Sequence, residues 1–326
     1  SATANDYNTA IGYTALYSIS GSDGTEGEAN TAVGYRAGYS TTTGNFNDFH
    51  GSSAGYENTT GQSNVMIGSS AGLNNTIGSN NIYIGYQSGL YQVAKGENVA
   101  IGTGGLYGAS GEASSTEASV AIGFQAARGS SAGVGLTAVG RGALRNVSDS
   151  GSYSVAVGYN SGYYATGSNN TFVGKDAGKG GTTSAPYSSG QLNTFIGKDA
   201  GKGFTTGGYN NALGAEALDA LTTGGENVAM GVGALGSITT QNSNVAIGGY
   251  AGVSIAGSDA IDNVIIGGYA GTGGSGALKR SIAIGKNALN STGTANLIGT
   301  IAIGYNAGTA INHANAQGTT LVGYLC

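Results

Sequence analysis

Charge is the scarcest property of this sequence. Asp, Glu, Lys and Arg make up 9% of its 326 residues, against roughly 25% in an ordinary soluble domain. The 12 basic residues are scattered and the formal net charge is −5. That excludes a general nucleic-acid binder, whose phosphate contacts need clustered Lys and Arg. Proline occurs once and glycine 64 times, and together they fall short of the roughly 25–30% that marks low-complexity disorder. The glycines do not recur at every third position, which excludes collagen. The single cysteine, Cys326, cannot close an intrachain disulfide; a cross-link between neighbouring chains is its one functional reading. Two histidines, His50 and His313, cannot build a His-rich metal site. No run of 18 apolar residues is present, so no segment is expected to span a membrane. The chain opens polar and without Met, at Ser1-Ala2-Thr3-Ala4-Asn5-Asp6, and is expected to be a processed or trimmed product with no signal peptide.

What is abundant is one short unit. Asn30-Thr31-Ala32-Val33-Gly34-Tyr35-Arg36-Ala37-Gly38-Tyr39 recurs in close copies from Asn8 to Tyr324. The glycine after the Ile or Val serves as anchor, position zero. Anchors fall at Gly12, Gly34, Gly51, Gly68, Gly85, Gly102, Gly123, Gly140, Gly158, Gly174, Gly197, Gly214, Gly231, Gly248, Gly267, Gly285, Gly304 and Gly323, most often 17 residues apart. An in-phase repeat this short predicts an all-β parallel solenoid, or β-roll, of about 18 coils forming a single repeat domain over 1–326. At about 4.8 Å per coil the rod would be roughly 85 Å long. Longer loops are expected at 18–29, which carries Asp23, Glu26 and Glu28, at 109–119, with Glu112 and Glu117, and at 180–192, with Pro186 and Tyr187.

Positions −3 and −1 are mostly β-branched or otherwise apolar, the period-2 signature of a short strand. They are expected to form the coil's own core. Asn occupies position −4 in twelve coils, as expected of a stacked amide ladder at a strand corner. Position −2 is Ala in eleven coils and large and apolar in the rest, never charged. Pointing opposite to its neighbours, it is expected to face a second copy of the chain. The candidate subunit interface is therefore Ala10, Ala32, Phe49, Met66, Tyr83, Ala100, Ala121, Phe172, Phe195, Ala246 and Ile265. A strand apolar on both faces is buried on both faces. After the anchor, small residues and Thr-Thr-Gly turns recur, as at Thr42-Thr43-Gly44 and Thr222-Thr223-Gly224. The run Ala215 to Leu221 stays in phase and is expected to be coil, not helix.

The repeat resembles those of phage tail-fibre shafts. Its Val99-Ala100-Ile101-Gly102, Val120-Ala121-Ile122-Gly123 and Val245-Ala246-Ile247-Gly248 cores are also similar to the head repeats of trimeric autotransporter adhesins. The resemblance implies a parallel β-roll in each of three subunits about a common axis, and a surface that binds a receptor or matrix. The adhesin repeat is shorter, and no coiled-coil stalk, membrane anchor or chaperone domain is visible.

Chemistry-bearing motifs are few. Gly174-Lys175-Asp176-Ala177-Gly178-Lys179-Gly180 and its copy Gly197 to Gly203 resemble a phosphate loop, but each is one residue short and lacks the Ser or Thr after the Lys. Lys175, Asp176, Lys198 and Asp199 are better read as a stacked surface patch. His50 stands beside Asp48 and Phe49, as a local polar contact. Tyr13, Tyr35, Tyr86, Phe124, Tyr159, Tyr305 and Tyr324 follow the anchors, and with Tyr39, Tyr56, Tyr91, Tyr163 and Tyr164 they form aromatic ladders. These either stack coil on coil or offer rings to sugars. Five Asn-x-Ser/Thr sequons (Asn58, Asn74, Asn146, Asn169 and Asn290) are expected by chance in so Asn- and Thr-rich a chain.

The sequence thus predicts no catalytic residue, metal ligand or cofactor. It predicts an extracellular structural and adhesive rod, a trimeric tail-fibre or surface-adhesin segment on a virion or cell, partnered by itself and by a receptor or polysaccharide. A self-polymerising filament subunit is the alternative; an ice-binding solenoid and a tail-spike glycan hydrolase rank below it.

Overall fold

In the computed structural model the described residues are 7–20, 26–108, 116–130, 132–147, 152–181, 187–255, 260–273, 277–291, 296–309, 311 and 317–326. Asp23, Glu112, Pro186 and His313 lie outside them. The protein is all-β, with no helix among the described residues. By compactness the chain falls into two units, Ser1–Asn160 and Ser161–Cys326, both parallel β-solenoids.

The first unit holds β1 (Thr9–Ile11), β2 (Thr31–Val33), β3 (Asp48–His50), β4 (Val65–Ile67), β5 (Ile82–Ile84), β6 (Val99–Ile101), β7 (Val120–Ile122), β8 (Thr137–Val139) and β9 (Val155–Val157). The second holds β10 (Thr171–Val173), β11 (Thr194–Ile196), β12 (Asn211–Leu213), β13 (Val228–Met230), β14 (Val245–Ile247), β15 (Val264–Ile266), β17 (Ile282–Ile284), β19 (Ile301–Ile303) and β20 (Thr320–Val322). There β16 (Leu278–Lys279) and β18 (Leu297–Ile298) add a small parallel pair. Within each unit every main strand pairs with the next in strict register: Thr31 opposes Asp48, Ala32 opposes Phe49 and Val33 opposes His50. Every column of the repeat therefore stacks on itself. The backbone ladder continues beyond the strands, as in Gly38 N to Ala54 O at 2.9 Å and Thr42 N to Thr59 O at 3.0 Å.

The expected corner ladder is present and buried. Asn47 donates its backbone N–H and its side-chain amide to Asn30 Oδ1, both at 3.0 Å, and its amide also reaches Gly61 O at 2.9 Å. Asn64 repeats the pattern on Asn47, and Asn227 on Asn210. Where Asn gives way to Ser, the ladder continues through Ser119 N to Asn98 Oδ1 and Ser281 N to Asn263 Oδ1. Each amide thus satisfies groups whose burial without a partner would cost about 1–3 kcal/mol.

The anchor glycines mark a close approach between coils. A Cβ on Gly51 would stand 2.6 Å from Gly68 O, and one on Gly68 2.7 Å from Gly85 O, at φ of +135° and +128°. No L side chain fits that position.

The core reverses the expected facing of the strands. The middle residue of each strand, position −2, points into its own coil: Ala32, Phe49, Met66, Tyr83, Ala100, Ala121, Phe172, Phe195, Ala246 and Ile265 are all buried. Only Ala10 of the candidate set is exposed, in β1, whose partner is β2. Positions −3 and −1 point outward. The physical reason is thickness. A coil of about 17 residues doubles back so closely that its interior holds one large side chain per level. The sheet residue shares that space with position +4 of the returning turn. Tyr83 faces Gly89, where a Cβ would fall 2.7 Å from the Tyr83 ring, and Ile265 faces Gly271, where it would fall 2.9 Å from Ile265 Cδ1. In six of the eleven coils with Ala at position −2, among them Ala100, Ala138, Ala212 and Ala229, position +4 is a buried Leu (Leu106, Leu144, Leu218 and Leu235 in these). In those coils the two positions exchange volume within one chain; at Ala32, Ala121, Ala156, Ala246 and Ala302 position +4 is Gly or Ala.

The far end of the core differs between units. Thr41, Asn58, Asn75 and Gln92 line it in the first unit; Phe204, Leu221, Ile238 and Ile255 occupy the same phase in the second. Asn75 Nδ2 donates to Asn58 Oδ1 at 3.1 Å and Gln92 Nε2 to Leu106 O at 3.1 Å. Ala215 to Leu221 is turn and coil, not helix.

Volume exchange has a direct test in denaturant unfolding. Ala100→Phe alone overpacks its level and costs about 1–3 kcal/mol. Combining it with Leu106→Gly recovers most of that loss, a coupling absent if the two positions do not share one space.

Candidate functional site

With position −2 inside, the outer face of each sheet is built from positions −3 and −1. In the first unit it carries Val65, Ile67, Ile82, Ile84, Val99, Ile101, Val120 and Ile122, and Ile101 is 37% exposed. In the second it carries Leu213, 48% exposed, with Met230, Val245, Ile247, Val264 and Ile303. Across β11–β13 the face holds a hollow of about 220 Å³ lined by Thr194, Ile196, Asn211, Leu213, Val228 and Met230. No charged residue stands on this face of the second unit. In the first, Asp48 and His50 stand there together, two residues apart on β3, with His50 Nε2 2.7 Å from Asp48 Oδ1 and both side chains half-exposed. His50 therefore belongs to the outer face, not to the core column in which the sequence reading set it. These outer residues are the ones sequence reasoning missed as a surface: their β-branched character marked them as core.

Aromatic ladders form as expected and cover themselves. Tyr17, Tyr39 and Tyr56 stack with ring centroids 5.2 and 5.1 Å apart, and Tyr13 on Tyr35 at 5.7 Å. Tyr250 stacks on Tyr269 and Tyr305 on Tyr324, each at 5.3 Å. Arg36 lies over Tyr35 and Tyr39, 5.1 and 5.8 Å from the ring centroids, and Arg141 lies 5.5 Å from both Phe124 and Tyr159. In these stacks ring faces meet ring faces or guanidinium groups, which leaves mainly edges to a ligand.

The two glycine-lysine motifs form an ion ladder. Lys198 reaches Asp199 at 3.1 Å and Glu216 at 3.4 Å, Lys202 reaches Asp199 at 3.1 Å, and Lys179 reaches Asp176 at 3.6 Å. Their ammonium groups are engaged by carboxylates, the opposite of a phosphate cradle. Burial alone would raise the Asp199 carboxyl; Lys202 and Lys198 outweigh it and hold Asp199 below the usual carboxylate range. Asp219, on the next turn, is pushed up by burial and then by the charge of Glu216. Among the described residues no group of three His, Cys, Asp or Glu side chains could hold a metal ion, and no helix is long and apolar enough to cross a membrane.

The Thr-Thr-Gly turns divide their hydroxyls. The first Thr turns to the backbone, as in Thr59 Oγ1 to Thr76 O at 3.0 Å and Thr222 Oγ1 to Thr239 O at 2.9 Å. The second, as at Thr60, Thr206, Thr223 and Thr240, is exposed.

No family model and no curated protein matches this chain. Its chemistry has to be argued from its own surface.

The two aspartates give opposite pH effects. Asp219 takes up its proton in the folded state at a higher pH than in the unfolded chain. Stability therefore rises as pH falls through that raised value toward the ordinary 3.8. Asp199, held low, withdraws stability only as pH falls below 3.8. In thermal melts against pH, Asp219→Asn removes the rise on mild acidification, whereas Asp199→Asn lowers stability at neutral pH and flattens the loss at the acid end.

Proposed function

We propose that this chain is an extracellular structural and adhesive segment, of the kind used in trimeric phage tail fibres or surface adhesins. Copies pack through the outer faces of their strands and leave the turns to meet a receptor or glycan. The observation that carries the reading is the outer face rich in Val and Ile, with no charged residue in the second unit, in a parallel sheet, an arrangement normally covered on both sides.

The covering partner is a second copy of the same chain. The face repeats at the strand spacing of about 4.8 Å, and a surface that interdigitates with it over many coils must repeat at the same interval. Nine strands of three residues present a strip of about 40 by 10 Å in each unit, on the order of 400 Å². That is about half of the roughly 800 Å² per partner in a stable specific interface. The hollow at β11–β13 accepts a side chain from an opposing ridge. Three copies about one axis is the arrangement implied by the resemblance to tail-fibre and adhesin repeats. Scarcity of charge suits this role, since a column of like charges one coil apart would repel along its whole length.

Sedimentation equilibrium on the full chain tests the reading. A discrete trimer is expected. The double substitution Ile101→Lys and Ile247→Lys should raise its dissociation constant about tenfold or more, because each buried lysine lacks a partner, while the β circular dichroism is retained. A stable wild-type monomer, or a polydisperse end-to-end polymer, overturns the trimer.

A further inference from the structure

Position −5, the residue before the corner Asn, is left-handed in every coil where it is described. Most residues there are small or polar, and Gly135, Gly299 and Gly318 adopt the conformation freely. Bulky side chains hold it as well, at Tyr7, Phe46, Tyr153, Leu192 and Tyr209, the last at φ +62° with its side chain 62% exposed. The left-handed backbone is thus a property of the repeat, and it stands the Tyr209 ring out from the surface. Tyr209 also differs from the laddered tyrosines: no other ring stacks on it among the described residues. Its ring face is available.

Tyr209 stands on one wall of a groove of the second unit, about 430 Å³ in volume. Glu226, its equivalent one coil on, continues that wall. Thr206 and Thr223, the exposed second threonines of two turns, form the other. Gly208 and Gly225 give a floor with no side chains, and Asn242 lies at one end. The Thr206 and Thr223 hydroxyls make no hydrogen bond among the described residues. Glu226 uses Oε2 to accept from Ser243 Oγ at 3.2 Å, which leaves Oε1 open to a ligand. Asn242 is fixed in place, its Oδ1 accepting from Gly225 N at 2.7 Å and its Nδ2 donating to Thr240 O at 3.2 Å. The groove at the same phase of the first unit lacks an aromatic residue and is bridged by Lys95 and Glu117 at 3.0 Å.

We propose that the Tyr209 groove binds an uncharged oligosaccharide, with one sugar ring on the Tyr209 face and sugar hydroxyls on Glu226, Thr206 and Thr223. A peptide side chain would need an apolar pocket, and the groove has none beyond the ring. An acidic sugar would meet Glu226 and no cation. An open trough with a free aromatic face and unpaired hydroxyls at coil spacing suits a chain of polyhydroxylated rings. The inference rests on the adhesive part of the proposed function and gives it a location.

Calorimetric titration of the full chain with neutral hexasaccharides (β-1,4-glucose, β-1,4-N-acetylglucosamine and α-1,4-glucose series) and with an acidic hexagalacturonate tests it. At least one neutral sugar should bind. Tyr209→Gly should weaken that binding about tenfold or more while raising the melting temperature, because the strain is relieved. Tyr153→Gly, in the same column of the first unit, should raise the melting temperature and leave binding unchanged. If a sugar binds with wild-type affinity to both Tyr209→Gly and Glu226→Gln, the groove is overturned and the adhesive reading stands. If only the acidic sugar binds, the groove's proposed chemistry is overturned. If none binds, the groove falls together with the glycan-binding part of the function, and a surviving trimer leaves the structural part intact.

Discussion

Each coil must pass its neighbour at the anchor glycine with no room for a Cβ. A side chain on Gly51 or Gly68 would meet the next anchor's carbonyl at under 3 Å, and this close approach recurs at the same phase of the repeat within each unit. The rest of the fold follows from this contact. It fixes the register of the parallel strands and brings Asn30, Asn47 and Asn64 within amide hydrogen-bonding distance of one another. It stacks Tyr17, Tyr39 and Tyr56 face to face. Insertions between coils are tolerated because they leave that contact alone.

The same constraint sets what the columns can hold. A side chain placed in one coil meets its equivalents above and below. Aromatics and amides gain from meeting themselves; like charges do not. Where charge is used, opposite signs stand side by side: Lys198 and Lys202 flank Asp199 on one coil, and Lys198 also reaches Glu216 on the next. Inside, the narrow coil turns packing into a trade between two positions, Tyr83 with Gly89 or Ala100 with Leu106.

The repeat, the strand phase, the anchor column and the Asn ladder were legible in the sequence, because each is a periodic demand of stacking on one residue type. The facing of the strand was not. Period-2 alternation separates two faces without saying which one is inside. Bulk pointed to Val33 and Ile101 as core and to Ala32 and Ala100 as contacts with another chain. The deciding information lay across the turn, in position +4, which is Gly opposite Phe49, Met66, Tyr83, Phe172, Phe195 and Ile265, and a buried Leu in six of the eleven coils with Ala at −2. Tyr209 was hidden for a different reason. Its side chain looks ordinary in a column that tolerates many residues, and only its unstacked ring and the groove beside it set it apart.

The outward apolar face carries the functional account, so its solvent exposure in the native protein is the decisive quantity. Hydroxyl-radical footprinting of the assembled protein, read by mass spectrometry, reports it residue by residue. The account predicts that Ile101, Ile122, Leu213 and Ile247 are protected while Tyr209 is labelled. Labelling of those aliphatic residues at the rate expected from their exposure in the isolated chain would contradict it.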